Sequence, residues 1–200
     1  MDSNRITPLL LTVGALFDNG DAVYTVPIYQ RNYAWQAGQI EQLLRDILDA
    51  GRDAAGNSAA SYFLGNLMVT EAQGTPGRFE VIDGQQRLTT LYLLLGFLAE
   101  NGVTEYGHLG RLQYESRPRA TEALRLISAA SPRQPLSQAQ VTDTGDAGIH
   151  QGYNVIRQFM AQHVRDTDGL RRFAGFLRAN VTLVRASLPR RMDFNRYFES

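Results

Sequence analysis

Two hundred residues, 44% of them hydrophobic, are enough to form one domain with a sizeable core. The 20 Lys and Arg residues balance the 20 Asp and Glu residues, so bulk charge does not predict non-specific nucleic-acid binding, although a local basic patch is compatible with this composition. The chain has no cysteine, which excludes disulfides and thiolate metal sites. Its three histidines are scattered and do not have the spacing of zinc ligands.

The amino-terminal part of the chain contains a short apolar stretch at residues 9–17. This stretch is too short to span a bilayer, and it lacks the basic region and the small-residue cleavage site of a secretory signal peptide. Thr7-Pro8 is typical of a helix start, and Asn19-Gly20 is typical of a helix end. The sequence therefore predicts an amphipathic surface helix here, on a cytoplasmic protein.

A strand is predicted at residues 24–29, and an unusual loop follows it up to residue 35. Aromatic and polar side chains are interleaved in this loop and follow neither period 2 nor period 3.6. One interpretation is a hydrophobic plug against the core, with an amide and a guanidinium at its rim. We favour a recognition surface, on which aromatic rings stack and polar groups form hydrogen bonds. The residues of this surface would be Tyr29, Gln30, Arg31, Tyr33 and Trp35.

An amphipathic helix and a β-hairpin are predicted next. Apolar residues at 40, 43, 44, 47 and 48 mark one helix face, and the helix should end near Gly51. Residues 51–61 are small and polar, as in a loop. A strand at 62–70 carries Gly65, which indicates a close approach of another group to its backbone. The turn at residues 73–77 joins this strand to one beginning at Phe79.

The centre of the sequence is a strand at 79–82, an Asp83-Gly84 turn and a helix that is apolar on almost all sides from Leu88 onwards. Polar residues lie at the junction of these two buried elements. Burying polar groups costs free energy unless they are paired. The junction residues therefore either satisfy one another and the helix end, or they bind a ligand.

Both interpretations of this junction have a physical basis. In the first, Asp83 caps the helix and Gln86 completes a capping box. In the second, the helix start is an anion site at which Gly84 permits close approach to the backbone, Arg87 offers a bidentate fork and Asp83 holds a hydrated cation.

The second half of the chain is less clearly patterned until its end. Residues 105–120 are weakly patterned, 121–130 predict a short helix, and 131–148 predict a mobile loop because large apolar residues are almost absent. Helices are predicted around 149–164 and 170–177, a strand at 181–187 and a further helix from Asp193. That last helix is cut off without a cap, which suggests an incomplete fragment. We accordingly divide the chain into a core at 1–130, the loop at 131–148 and an extension at 149–200.

Three motifs together resemble a known family. Residues 26–35 (Val-Pro-Ile-Tyr-Gln-Arg-Asn-Tyr-Ala-Trp), 63–66 (Phe-Leu-Gly-Asn) and 81–90 (Val-Ile-Asp-Gly-Gln-Gln-Arg-Leu-Thr-Thr) are similar to the amino-terminal domain of GmrSD-type and SspE-type bacterial defence proteins. The strand-Asp-Gly-x-x-Arg-helix unit is also similar to the ParB/sulfiredoxin fold, whose members bind nucleotides at that turn. The resemblance implies an α+β fold with a small mixed sheet surrounded by helices and a helical carboxy-terminal part.

The resemblance also implies a function. Such domains hydrolyse nucleoside triphosphates, GTP being the nucleotide we favour, and are usually joined to an HNH-type nuclease half that restricts phage DNA. GmrSD-type enzymes attack glucosylated hydroxymethylcytosine DNA, whereas SspE-type proteins use phosphorothioate modification of host DNA as their cue, and we favour the SspE type. This chain carries no nuclease motif, so nuclease activity is expected only in a longer protein.

Residue roles follow from the same resemblance. The hydrolysis motif maps onto Asp83, Gly84, Gln85, Gln86 and Arg87, with Gly84, Arg87 and Thr89 placed at the nucleotide, while residues 29–31 map onto the modification-sensing region. Hydrolysis of a phosphoanhydride needs charge neutralisation and a positioned water. Arg87 and the helix start would neutralise charge, Asp83 would bind Mg²⁺ or orient water, and either glutamine would position the nucleophile.

Two other classes of function compete with this one. The first is a non-hydrolysing module that binds modified DNA and regulates a nuclease domain. In that case the Asp83 turn is a structural cap and the aromatic loop reads the DNA. The second is an oligomerisation domain, which leaves both polar clusters unexplained, although a homo-oligomer is compatible with either activity. Release of phosphate with and without DNA separates hydrolysis from binding alone.

Overall fold

The computed structural model describes residues 6–18, 22–54, 57, 60–104, 110–143 and 145–189 of the chain. Within these residues the chain forms six strands and seven helices. The elements are β1 (Thr7–Thr12), α1 (Val13–Asp18), β2 (Val23–Val26), α2 (Ala37–Asp53), β3 (Tyr62–Glu71), β4 (Arg78–Asp83), α3 (Gln85–Glu100), β5 (Leu112–Tyr114), α4 (Pro118–Ala129), α5 (Gln138–Asp143), α6 (Ala147–His163), α7 (Thr167–Asn180) and β6 (Val181–Ser187).

One six-stranded mixed sheet organises these elements, in the order β1-β6-β3-β4-β2-β5. β1 pairs antiparallel with β6, and β3 pairs antiparallel with β4. β6 pairs parallel with β3, and β2 pairs parallel with both β4 and β5. The predicted α+β class with a mixed sheet and surrounding helices is confirmed. β6, from the carboxy-terminal part of the chain, lies between β1 and β3 in this sheet.

The helix predicted between Thr7-Pro8 and Asn19-Gly20 is wrong in its first half. Thr7–Thr12 is a strand, paired along its length with β6, and only Val13–Asp18 is helical. The three consecutive leucines at 9–11 fit a helix or a strand equally well when read alone. The partner strand lies more than 160 residues away, and its pairing decides between the two. β1 is the edge of the sheet, and Leu9 and Leu10 are 47% and 63% exposed there.

The regular elements with clear periodicity are confirmed. α2 buries the predicted stripe at residues 40, 43, 44, 47 and 48. β3 and β4 form the predicted hairpin, and α6, α7 and β6 lie where helix, helix and strand were expected. β2 ends at Val26, three residues earlier than predicted. The helix predicted from Asp193 lies outside the described residues.

The range 131–148, predicted as a loop, contains the short helix α5. It also has an anchor, because Leu136 is buried and its amide donates a 2.9 Å hydrogen bond to the carboxylate of Glu100 on α3. The same carboxylate accepts a hydrogen bond from the Tyr153 hydroxyl on α6. Glu100 is itself buried, so these donors offset the cost of removing its charge from water.

α3 is the central helix of the fold, and every residue in it except Arg87 is buried. This confirms the prediction of a helix that is apolar on almost all sides. It packs against α4 and α6, and the ring of Tyr92 meets Phe17 of α1 edge-on at 5.6 Å. Among the helices in the described part of the chain, none combines the length and apolarity needed to cross a membrane.

A pH dependence of stability follows from the buried hydroxyl of Tyr114 on β5. The residue is 3% exposed, and burial raises its pKa from 10.0 to about 12. Between these values the folded protein keeps a proton that the unfolded chain releases. The free energy of unfolding should therefore be unaffected by this residue below pH 10 and fall above it, by about 1.4 kcal/mol per pH unit.

Urea unfolding at several pH values between 8 and 12 measures this effect, with Tyr114→Phe as the control. Three other buried tyrosines with raised pKa values (Tyr24, Tyr33 and Tyr92) also lower the unfolding free energy at high pH, and they do so equally in both proteins. In the variant, the unfolding free energy should fall less steeply with pH, by about 1.4 kcal/mol per pH unit, which is the contribution of one proton. Equal slopes in the two proteins would contradict the prediction.

Candidate functional site

The sheet topology brings three separate segments of the chain to one edge. β4, β2 and β5 are parallel neighbours, so their carboxyl ends lie at the same side of the sheet. Asp83 ends β4, the aromatic loop at 27–36 follows β2, and residues 115–117 follow β5. Crevices outside the carboxyl ends of parallel strands are common ligand sites.

A cleft of about 490 Å³ opens at this edge. Its walls come from both clusters that the sequence predicts as functional, although they are some 50 residues apart in the chain. The residues that line the cleft are Gln30, Arg31, Trp35, Asp83, Gly84, Gln85, Gln86 and Arg87.

The turn that forms the floor of the cleft requires glycine at position 84. Gly84 has φ 92°, and a Cβ atom there would lie 3.1 Å from the backbone oxygen of Asn66 and 3.2 Å from a methyl group of Leu67. α3 begins directly after it, with Gly84 as the N-cap and no side-chain cap. The predicted capping box of Asp83 and Gln86 is therefore wrong, because the Gln86 amide is turned towards the loop instead.

Asp83 and Arg87 are the charged residues of this turn. Asp83 is exposed, and no hydrogen bond or ion pair of its carboxylate lies within the described residues. Arg87 is partly buried and donates a 3.2 Å hydrogen bond to the backbone oxygen of Asn66, and no described residue forms an ion pair with it. Both charges therefore remain uncompensated at the cleft, and a ligand could use them.

Gly65 on β3 provides the room for the Arg87 guanidinium. The residue has φ 128°, and a Cβ atom there would lie 3.0 Å from one terminal nitrogen of Arg87. The pairing of β3 with β6 shifts register between Phe63 and Asn66, so the strand is irregular at this point. The predicted close approach at Gly65 is confirmed, and the group that approaches is Arg87.

Gln85 and Gln86 have different surroundings in the structure. The sequence alone did not show which of the two would face a ligand. Both are 6% exposed. The Gln86 carbonyl accepts from the amide of Ala34 at 2.8 Å, and its nitrogen donates to the backbone oxygen of Asn32 at 2.9 Å. The Gln85 nitrogen makes a 3.5 Å contact with the backbone oxygen of Arg31, and its carbonyl has no partner within the described residues. Gln86 therefore holds the loop, while Gln85 keeps an acceptor available.

The same loop is fixed from its other side by two residues that the sequence did not single out. The Glu115 carboxylate accepts a 3.0 Å hydrogen bond from the amide of Ile28. The Arg117 guanidinium donates to the backbone oxygens of Ile28 and Gln30, at 3.2 and 2.6 Å. The Gln30 side chain in turn donates to the backbone oxygen of Ile82 at 2.8 Å. A three-residue strand such as β5 produces almost no periodic signal in the sequence. The sequence pattern therefore did not predict that Glu115 and Arg117 hold the loop.

Two residues predicted for the site point into the core instead. Tyr33 is 4% exposed, and its hydroxyl lies 2.9 Å from that of Thr90 on α3. Its ring packs against α6 at Gly152, where a Cβ atom would lie only 2.6 Å from a ring carbon of Tyr33. Thr89 is fully buried, and its hydroxyl lies 2.8 Å from that of Tyr114. Neither Tyr33 nor Thr89 lines the cleft, so their predicted contacts with DNA and nucleotide do not fit this structure.

Tyr29 lies on the outer surface of the loop. It is 67% exposed and does not line the cleft, and the neighbouring Ile28 is 58% exposed. Partial burial together with the negative charges of Glu80 and Glu115 raises the pKa of Tyr29. The exposed part of this ring is available for apolar or stacking contacts.

The cleft offers a divalent cation a single carboxylate. Among the described residues no group of three or more His, Asp or Glu side chains is placed to hold a metal ion. Asp83 is the carboxylate that lines the cleft. Mg²⁺ in phosphate-binding sites is commonly held by one or two carboxylates together with substrate phosphates and water. The residues present fit a cation that arrives with a nucleotide and would not retain one tightly without it.

Comparison with known protein families identifies the family of this chain. The family model described as "GmrSD restriction endonuclease, N-terminal domain" matches residues 13–200. The matched range includes both the aromatic loop and the Asp83 turn. No curated protein matches the chain.

The different contacts of the two glutamines predict different costs of removing them. Gln86→Ala leaves two backbone groups of the loop without their partner, and a buried group left unsatisfied costs about 1–3 kcal/mol. Gln85→Ala loses one long contact and should cost less than about 1 kcal/mol. Urea unfolding of both variants and the parent measures the difference. An equal loss of stability in the two variants would contradict the assignment of Gln86 to the loop.

Proposed function

This chain belongs to the family of GmrSD restriction endonuclease amino-terminal domains, and from that premise we propose that it hydrolyses a nucleoside triphosphate in the cleft and senses modified DNA with the loop beside it. Membership makes it a domain of a defence-related restriction protein. The activity, the nucleotide and the DNA modification are the parts that we propose.

The observation that carries the proposal is the meeting of uncompensated charges at one cleft. Arg87, the exposed carboxylate of Asp83 and a helix start with no side-chain cap lie together there. A helix start of this kind presents backbone N–H groups and favours anions. If the turn were only a structural cap, its polar side chains would be expected to satisfy the helix end, which they do not do.

The chemical step needs little from the protein beyond placement of charge. A water molecule attacks the γ-phosphorus, the bond from that phosphorus to the bridging oxygen breaks, and the products are the diphosphate, inorganic phosphate and a proton. Arg87 and the first-turn amides of α3 would stabilise the negative charge on the phosphate oxygens. Gln85, whose carbonyl has no protein partner among the described residues, would orient the water.

A magnesium ion is part of the proposal. When bound with the nucleotide, Mg²⁺ would neutralise charge on the phosphates, and Asp83 is the residue that would hold it. We propose GTP as the nucleotide because of the family resemblance, with ATP as the comparison. Activity should then require a divalent cation and be lost with a chelator.

The DNA-sensing part of the proposal rests on the exposed face of the loop. Tyr29 and Ile28 present an apolar surface that no described element covers. We propose that this surface contacts modified DNA, with phosphorothioate as the first candidate and glucosylated hydroxymethylcytosine as the second. The partner that would cut DNA is an HNH-type nuclease domain in a longer protein. The exposure of this face also supports the alternative of a DNA-binding module without hydrolysis.

Hydrolysis is tested with Asp83→Ala and Arg87→Ala. Removing a charge partner of the transition state typically lowers the rate by a factor of about 10²–10³. Release of phosphate from GTP and ATP in the presence of Mg²⁺ measures this loss. Arg125→Ala is the matched control, because Arg125 is an exposed arginine on α4 whose hydrogen bonds are to Glu122.

Asp83→Ala should lose less than about 1 kcal/mol of stability, whereas Arg87→Ala removes a hydrogen bond of a charged group and should lose about 1.5–3 kcal/mol. Urea unfolding of both variants shows whether they remain folded under the assay conditions. Near-parent turnover in both would exclude the proposed roles. A parent protein that releases no phosphate but still prefers modified DNA would establish the binding module instead.

DNA sensing is tested with Tyr29→Ala. A base or modified group stacked on an aromatic ring contributes about 1–3 kcal/mol. The variant should therefore bind modified duplex about 10-fold more weakly, while binding to unmodified duplex of the same sequence should change little. Titrations with phosphorothioate, glucosylated and plain duplexes measure both. Leu10→Ala is the control, since Leu10 is similarly exposed but lies on β1 at the far edge of the sheet.

A further inference from the structure

We propose that the loop has two functional faces, and that Arg31 and Trp35 belong to the nucleotide site and not to the DNA-binding surface. Arg31 would bind the phosphates opposite Arg87, and Trp35 would stack on the base. Tyr29 alone would remain on the outer, DNA-facing side. This inference rests on the proposed function and assigns two further residues to it.

The position of Arg31 supports a phosphate contact. Its side chain is exposed at the cleft, and no hydrogen bond or ion pair of its guanidinium lies within the described residues. Its backbone is fixed, because its carbonyl accepts from Gln85 and the preceding residue is held by Arg117. A free guanidinium on a fixed backbone matches the bidentate geometry that phosphate prefers.

The balance of charge at the cleft points in the same direction. Arg31 and Arg87 line it with one carboxylate, Asp83, so the lining carries a net positive charge. A triphosphate with its cation would complement this charge. The outer face of the loop differs, because Tyr29 lies near the carboxylates of Glu80 and Glu115. The charge of the cleft lining therefore favours binding of a triphosphate there.

Trp35 supplies an aromatic surface in the cleft itself. The residue packs against the hydrophobic core on one side and lines the cleft on the other. It is fixed by its position between the loop that Gln86 holds and the start of α2. Stacking between a base and an aromatic ring is favourable for every base. The cleft volume of about 490 Å³ lies within the range of about 300–1,000 Å³ that is usual for small-ligand sites.

A direct test is available because Trp35 is the only tryptophan of the chain. Its fluorescence reports on the cleft without any label. Adding the non-hydrolysable analogue guanylyl imidodiphosphate with Mg²⁺ should change the emission in a saturable way. Arg31→Ala should raise the dissociation constant of the analogue about 10-fold. Arg125→Ala is the matched control and should leave that constant unchanged.

Two substitutions of the tryptophan test the stacking. Trp35→Phe keeps an aromatic ring and should retain most of the affinity, whereas Trp35→Leu should raise the KM for GTP hydrolysis about 10-fold. A loss of folding would lower the apparent kcat without raising KM, so the two effects are separable. If Trp35→Leu does not fold, the fluorescence titration of the parent and of Arg31→Ala decides the question.

The outcomes separate the inference from the function on which it rests. If the parent releases phosphate but its fluorescence does not respond to the analogue, and Arg31→Ala has the parent's KM for GTP hydrolysis, the inference is wrong and the function stands. Should the analogue change the emission while no phosphate is released, the site binds nucleotide without turnover. If unmodified duplex DNA without nucleotide produces the same saturable change, Arg31 and Trp35 belong to the DNA surface and the inference fails. No phosphate release and no response to the analogue would overturn both.

Discussion

The parallel pairing of β2 with β4 is the constraint on which the rest of the site depends. It places the carboxyl ends of two strands side by side, so the loop after β2 and the turn after β4 must meet. β5 extends the same arrangement and adds Glu115 and Arg117 to the same edge. The polar cleft lies where the loop after β2 meets the turn after β4. Function is thus located by topology before any single side chain is considered.

Hydrogen bonds from glutamine amides turn this proximity into a fixed geometry. Gln86 holds the loop at two backbone positions, and Gln30 holds the strand end from the loop side. These bonds are partly buried, and an amide left unsatisfied in such surroundings costs free energy. The loop and the first turn of α3 therefore behave as one unit. A ligand that moved the loop would also move the turn, which would give the proposed DNA binding a physical route to affect the proposed nucleotide hydrolysis.

Burial divides the aromatic loop into parts with different roles. Tyr33 enters the core and contacts both α3 and α6, so it helps to determine where the loop lies, and it does not line the cleft. Trp35 lies half in the core and half in the cleft, whereas Tyr29 is on the outside. Of the two interpretations that compete when the sequence is read alone, the hydrophobic plug describes Tyr33, and the proposed recognition surface would lie at Tyr29. Each applies to a different residue.

The sequence by itself determined the elements with strong local signals: the amphipathic helix α2, the β3–β4 hairpin, and the Asp83-Gly84 turn between a buried strand and a buried helix. These follow from periodicity and from glycine, which act over a few residues. The family motifs indicated the site as well. Only the tertiary structure decided that residues 7–12 form a strand, because their partner is β6. It also decided which glutamine holds the loop and that Thr89 is buried, since such contacts join residues far apart in the chain and leave no local pattern.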